Sequence, residues 1–216
     1  MRYQRSFLAT ILILLLGAAV FAASATPTAS VQTVIDQAIA VFKDKSVAPS
    51  DREQKLRTIA ESHFDFERMA RTAVGLHWRQ FSEAQRAEFV PIFTNFIEDV
   101  VLSRVEQYSV QRIQQDIESS LVHFTRESMD TPDHAIVYSD VTLANRAKPL
   151  QVNYLLKRDG EQWKIYDITI DAISVIANYR NQFNRVLNDG GYDKLVSIMR
   201  QKQQALGASM ANGTSR

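Results

Sequence analysis

The sequence contains no cysteine. Disulfides, thiol catalysis, thiolate zinc sites and cysteine-ligated iron–sulfur clusters are therefore excluded. Glycine is scarce, with seven in 216 residues, and none forms a Gly-rich loop that could cradle a phosphate. Charge of one sign is lacking too. The formal net charge is +1 and turns slightly negative once Arg2 and Arg5 are set aside, so nonspecific nucleic-acid binding has no electrostatic support. His63, His77, His123 and His134 make no His-Glu-x-x-His pair and no i, i+4 spacing, which leaves a histidine metal site without a pattern. A Gly-x-Ser-x-Gly elbow is absent as well. Apolar residues at 45% and charged residues at 23% are ordinary for a globular chain of one large domain or two small ones.

One long apolar run is present, at the N-terminus. Arg2 and Arg5 precede Phe7 to Val20, which is nearly all apolar, and Ala23-Ser24-Ala25 supplies small residues at a cleavage site. This is the layout of a secretory signal peptide over residues 1–25, with cleavage expected after Ala25. No cysteine follows to carry a lipid anchor, and no second run approaches membrane-spanning length. The expectation is one exported domain over 26–204 and a flexible Ala-, Gly- and Ser-rich tail over 205–216.

The mature chain reads as helices, then strands, then helices. Val31, Val34, Ile35, Ala38 and Phe42 recur at helical spacing between Ser30 and Phe42. Leu56, Ile59 and Ala60 do the same between Asp51 and Ser62. Asp65 is placed to cap a short helix bearing Phe66, Met69, Ala70 and Val74, and Gly75 to stop it. Ser82 and Gln85 form a capping box for a long helix toward Tyr108. Phe89, Phe93, Phe96, Ile97, Val100 and Arg104 lie on one stripe of it, and Pro91 is expected to bend or break it. The period then shortens to two. Strands are expected at Val110–Ile117, Ser120–Arg126, His134–Leu143, Leu150–Lys157 and Gln162–Ile170, with a turn at 130–133 and a hairpin at Asp159-Gly160. Trp163, Ile165 and Asp167 are expected on one face of the last strand, with Lys164, Tyr166 and Ile168 on the other. Helix returns at Ser174 with Ile176, Tyr179, Phe183, Val186 and Leu187. Gly190-Gly191 interrupts it before a last helix with Leu195, Val196 and Met199.

Segregated helices and a consecutive antiparallel twisted sheet specify an α+β fold. Such a cone of sheet and helices either fills its interior or leaves an apolar cavity. No reactive constellation stands out. Asp167 and Asp171, beside Tyr166, are the one pair that could serve as a general base on a small apolar substrate. Against that, Asp171 precedes a helix, and Asp167 can pair with backbone groups or Arg180. A pure interaction scaffold is the third reading.

Three stretches together resemble a known family. They are Phe64-Asp65-Phe66 through Met69-Ala70, Gly75, Trp78-Arg79, Phe81-Ser82, Gln85, Phe89 and Phe93; then Trp163-Lys164-Ile165-Tyr166-Asp167-Ile168 leading to Ile173-Ser174; then Asn178-Tyr179-Arg180-Asn181-Gln182-Phe183. In this order, behind a signal peptide, they resemble the MlaC family, also called the toluene-tolerance auxiliary component, which includes the hopanoid-associated HpnM proteins. The resemblance spans about residues 30–203. Ala172 departs from it, standing where glycine is expected.

The resemblance implies a nuclear-transport-factor-like cone and a periplasmic phospholipid-binding protein without cofactors or catalysis. It also implies partners: an inner-membrane ABC transporter complex with an MCE-domain ring, and an outer-membrane lipoprotein complex. A small diffusing carrier is expected to be a monomer, and a hopanoid cargo stays open. Combined with the alternation and the aromatic stripe, it makes Val137, Val141, Val152, Tyr154, Leu156, Trp163 and Ile165 from the sheet, and Phe89, Phe93 and Phe96 from the long helix, the expected lipid-lining residues. The competing reading is that these ten form a dry, filled core.

Overall fold

The structure is a computed structural model that describes residues 25–107, 121–142 and 147–213. The leader, the expected strand at Val110–Ile117, Tyr108 and Leu143 lie outside the described residues. No described helix is long and apolar enough to cross a membrane.

Local signals set the first helices. Thr26 caps α1 (Pro27–Lys43), its hydroxyl accepting from the Ala29 N–H at 3.1 Å. α2 (Pro49–His63) opens on a proline, which has no N–H to leave unpaired in a first turn. Asp65 caps α3 (Phe66–Val74) by accepting from the Arg68 N–H at 2.9 Å. Gly75 ends α3 at φ 57°, a left-handed value that a side chain would resist. A 3₁₀ turn (Gly75–Arg79) leads to α4 (Glu83–Gln107). The capping box forms at its start: Ser82 Oγ accepts from the Gln85 N–H, and Gln85 Oε1 accepts from the Ser82 N–H.

α4 does not break at Pro91. Pro91 and Ala87 both lie on the exposed face. The Ala87 carbonyl that proline leaves without a donor therefore faces water rather than the core.

The sheet is a five-stranded antiparallel meander in sequence order: β1 (Leu121–Thr131), β2 (His134–Thr142), β3 (Leu150–Asp159), β4 (Gln162–Ile170) and β5 (Ile173–Ser174). β1 runs five residues past its expected end, and the turn before β2 shrinks to Pro132 and Asp133. Register shifts between Phe124 and Arg126 and between Met129 and Thr131 break its alternation, which hides the strand from a period-two reading. At the next hairpin Asp159 pairs with Gln162, so Gly160 and Glu161 form the loop rather than Asp159-Gly160. Gly160 takes φ 60° there, as the first position of a two-residue hairpin loop requires.

A second shift changes which face of β4 is which. Leu155 pairs with Asp167 while Leu156 pairs with Ile165, so Tyr166 is an extra residue. Beyond it the faces exchange. Ile168, not Asp167, continues the face of Trp163 and Ile165, opposite Tyr154. Asp167 is turned toward the final helix.

That helix, α5 (Val175–Gly213), is divided at Gly191, whose φ of 69° and ψ of −164° are non-helical. Helical backbone continues to Gly213, past the expected boundary at 204.

Two apolar cores result. One joins α3, α4 and α5 through Phe89, Phe93, Phe96, Ile97, Ile176, Phe183, Leu187 and Met199. The other lays Val31, Val34 and Ile35 of α1 on the sheet face formed by Ala135, Val137, Val152, Tyr154, Leu156, Trp163 and Ile165.

Candidate functional site

Between these two cores lies an apolar cavity of about 270 Å³. Val34, Ala38 and Phe42 of α1 and Leu56, Ile59 and Ala60 of α2 wall one side. Phe66 and Met69 of α3 and Ile97, Val101 and Leu102 of α4 wall the other, with Phe64 between. Val34 and Phe64 also pack on the sheet core, and Phe66, Met69 and Ile97 belong to the helical core. The cavity is thus the seam between the two. Its α1–α2 wall is unusual for apolar side chains: Val34, Ala38, Leu56, Ile59 and Ala60 are only half-buried. Val101, at the rim, is 55% exposed.

None of the ten expected lining residues borders this cavity. Phe89, Phe93 and Phe96 point into the helical core, where Phe93 meets Phe183 edge-on at 6.4 Å and Phe96 meets Tyr179 at 5.7 Å. Val137, Val152, Tyr154, Leu156, Trp163 and Ile165 are buried beneath α1, and Val141 packs at the margin of that layer. The sheet residues lie one layer behind the cavity, joined to it through Val34 and Phe64. The stripes on α1 and α2 are visible in the sequence. Period alone says that such a stripe is covered, not what covers it.

Charge meets the cavity at one place. Arg57 Nη1 donates to Glu98 at 2.8 Å, and Arg57 Nη2 donates to Asp99 at 2.6 Å and to Glu53 at 2.7 Å. Arg57 and Glu98 also line the wall. Burial acts against the Arg57 charge, but the hydrogen bonds it donates to Asp99, Glu53 and Glu98 outweigh it and hold the guanidinium ionised. Burial raises the Glu98 carboxyl above its ordinary value, against the attraction of Arg57. Glu98 is 5% exposed and its Oε1 has no hydrogen-bond partner.

The expected general-base pair is otherwise engaged. Asp167 Oδ1 accepts from the N–H groups of Ile168 at 2.8 Å and Ile176 at 3.2 Å, and Oδ2 accepts from Ser174 Oγ at 2.5 Å. Ser174 Oγ in turn caps α5 through the Ala177 N–H. Asp171 Oδ1 accepts from the Gln151 N–H at 3.2 Å. Asp167 thus holds the start of α5, and Asp171 ties the β4–β5 turn to β3. Among the described residues no group of three or more His, Asp or Glu side chains is arranged to hold a metal.

The fold has solved relatives. A phospholipid-binding protein from Ralstonia solanacearum, solved in complex with a phospholipid, superposes with a TM-score of 0.67 at 22% identity, covering 83% of this chain and 97% of that one. The intermembrane phospholipid transport system binding protein MlaC of Haemophilus influenzae is 24% identical over 152 residues, 68% of this chain and 67% of the relative. The family model described as MlaC protein matches residues 32–201. With nearly the whole folded region matched in this way, the chain belongs to the MlaC family.

Proposed function

We propose that this protein is a periplasmic phospholipid carrier that buries acyl chains in the seam between the α1–α2 pair and α3–α4. The observation that carries this reading is the half-buried apolar wall that α1 and α2 present to an apolar cavity. Physical magnitude explains why such a carrier is needed. A diacyl lipid has roughly 30 methylenes, and exposing them to water costs on the order of 24 kcal/mol at ~0.8 kcal/mol each. Van der Waals contact and exclusion of water suffice to hold the chains, so no reactive group is required. The engagement of Asp167 at the α5 start and of Asp171 with β3 fits a non-catalytic role.

Cargo passes, on this reading, between an outer-membrane lipoprotein complex and an inner-membrane ABC transporter with an MCE-domain ring, and so serves outer-membrane lipid asymmetry. The sequence has no Gly-rich nucleotide loop, so direction comes from the partners' differential affinities for loaded and empty carrier. The expected sheet and α4 residues enter the proposal as supports. Val137, Val141, Val152, Tyr154, Leu156, Trp163 and Ile165 back the cavity through α1, and Phe89, Phe93 and Phe96 stiffen α4.

The test is to export the chain natively, purify residues 26–216 and extract with organic solvent for mass spectrometry. Near-stoichiometric diacyl phospholipid is expected. A hopanoid would keep the carrier and change its cargo. A folded protein with an empty extract would contradict the reading.

A further inference from the structure

Cargo that enters the seam passes between its two walls, and the contacts across it show what holds them together. α3, α4 and α5 share one core, whereas α2 packs on α1 and touches β4. Among the described residues, every ion pair that joins α2 to α4 is made by Arg57. Of its acceptors on α4, Glu98 lines the cavity wall, one turn before exposed Val101.

We propose that Arg57 is the latch of the lipid cavity: its salt bridges to Glu98 and Asp99 hold the α1–α2 pair closed against α4, and cargo enters and leaves when they part. The latch rests on the carrier reading above. Its design makes parting reversible, because no charge is stranded. Glu53 is on Arg57's own helix and bonds both Nη2 and Nε, so it travels with the guanidinium. Asp99 keeps Gln203 of α5, whose Nε2 donates at 3.2 Å. Glu98, buried with one oxygen unpaired, gains water on opening.

The absence of native cysteine permits a direct test. The Arg57→Cys/Glu98→Cys variant removes the latch, and a short bis-maleimide then restores it covalently in the same molecules. The readout is transfer of a fluorescent phospholipid from loaded protein to phosphatidylcholine vesicles. Uncross-linked protein is expected to transfer about tenfold faster than wild type, because both ion pairs of Arg57 across the seam are lost. Cross-linked protein is expected to stop. If the double variant does not fold, Asp99→Asn is measured instead, with faster transfer expected from the weakened latch. Wild-type transfer rates in both forms of the double variant, or in Asp99→Asn, would overturn the latch and leave the carrier standing. A wild-type protein that loads no lipid would overturn both.

Discussion

Ala172 adopts φ 65° and its neighbour Asp171 φ 46°, so the β4–β5 turn is left-handed at two residues that carry side chains. The family resemblance expects glycine at 172, and the backbone supplies the reason. Ala172→Gly is expected to raise stability by about 1 kcal/mol, the usual order of the left-handed penalty. An unchanged or lower melting temperature would count against this. His63 gives a second prediction. Burial, with the nearby Lys164 charge, lowers its pKa below the ordinary histidine value. A depressed folded-state pKa means stability that is present above pH ~6.5 and lost as pH falls through the folded value. His63→Gln should therefore lose less stability than wild type between pH 7.5 and pH 5, as read by denaturant melts. Parallel losses would rule the residue out as a contributor. Asp167→Ala should cost about 2–3 kcal/mol, since buried donors at the α5 start lose a charged acceptor. Lipid loading of the folded fraction should not change.

At the scale of elements, much was legible because the signals are local. Asp65, Ser82 with Gln85, and Gly75 each act within a few residues, and each sits at the boundary its chemistry implies. Alternation in β2 and β3 reads directly into buried Ala135, Val137, Ser139, Val152, Tyr154 and Leu156. The misses were decided by packing and pairing. The exposed setting of Ala87 lets Pro91 stay in α4, and the extra Tyr166 turns Asp167 to the α5 start. Solvent exposure and cross-strand register set these outcomes, not residue type or period. That the ten expected lining residues do not border this cavity has a related reason. An aromatic stripe and a half-buried aliphatic stripe have the same period, and only packing shows that Phe93 meets Phe183 while Ile59 meets a cavity. This difference is measurable. Phe93→Ala should cost about 3–5 kcal/mol, as truncations of buried phenylalanine do. Ala38→Asp should leave the melting temperature within a few degrees and abolish lipid retention. The reverse pattern would place the cargo in the helical core.

For the whole molecule, the two cores are the central feature. One core lays α1 on the sheet, the other joins α3, α4 and α5, and Phe64 packs against both. The seam between them is apolar within and salt-bridged at its rim by Arg57. That arrangement suits cargo that must be dry in transit and released at a membrane complex. Whether acyl chains occupy this seam is read from the lipid-to-protein ratio, by extraction and mass spectrometry, of natively exported wild type beside Ala60→Trp, which fills the seam from α2. About one diacyl lipid per wild-type chain and almost none in the variant is expected, with circular dichroism and melting temperature unchanged. Equal loading of the two folded proteins would show that the chains lie elsewhere and contradict the proposed seam site.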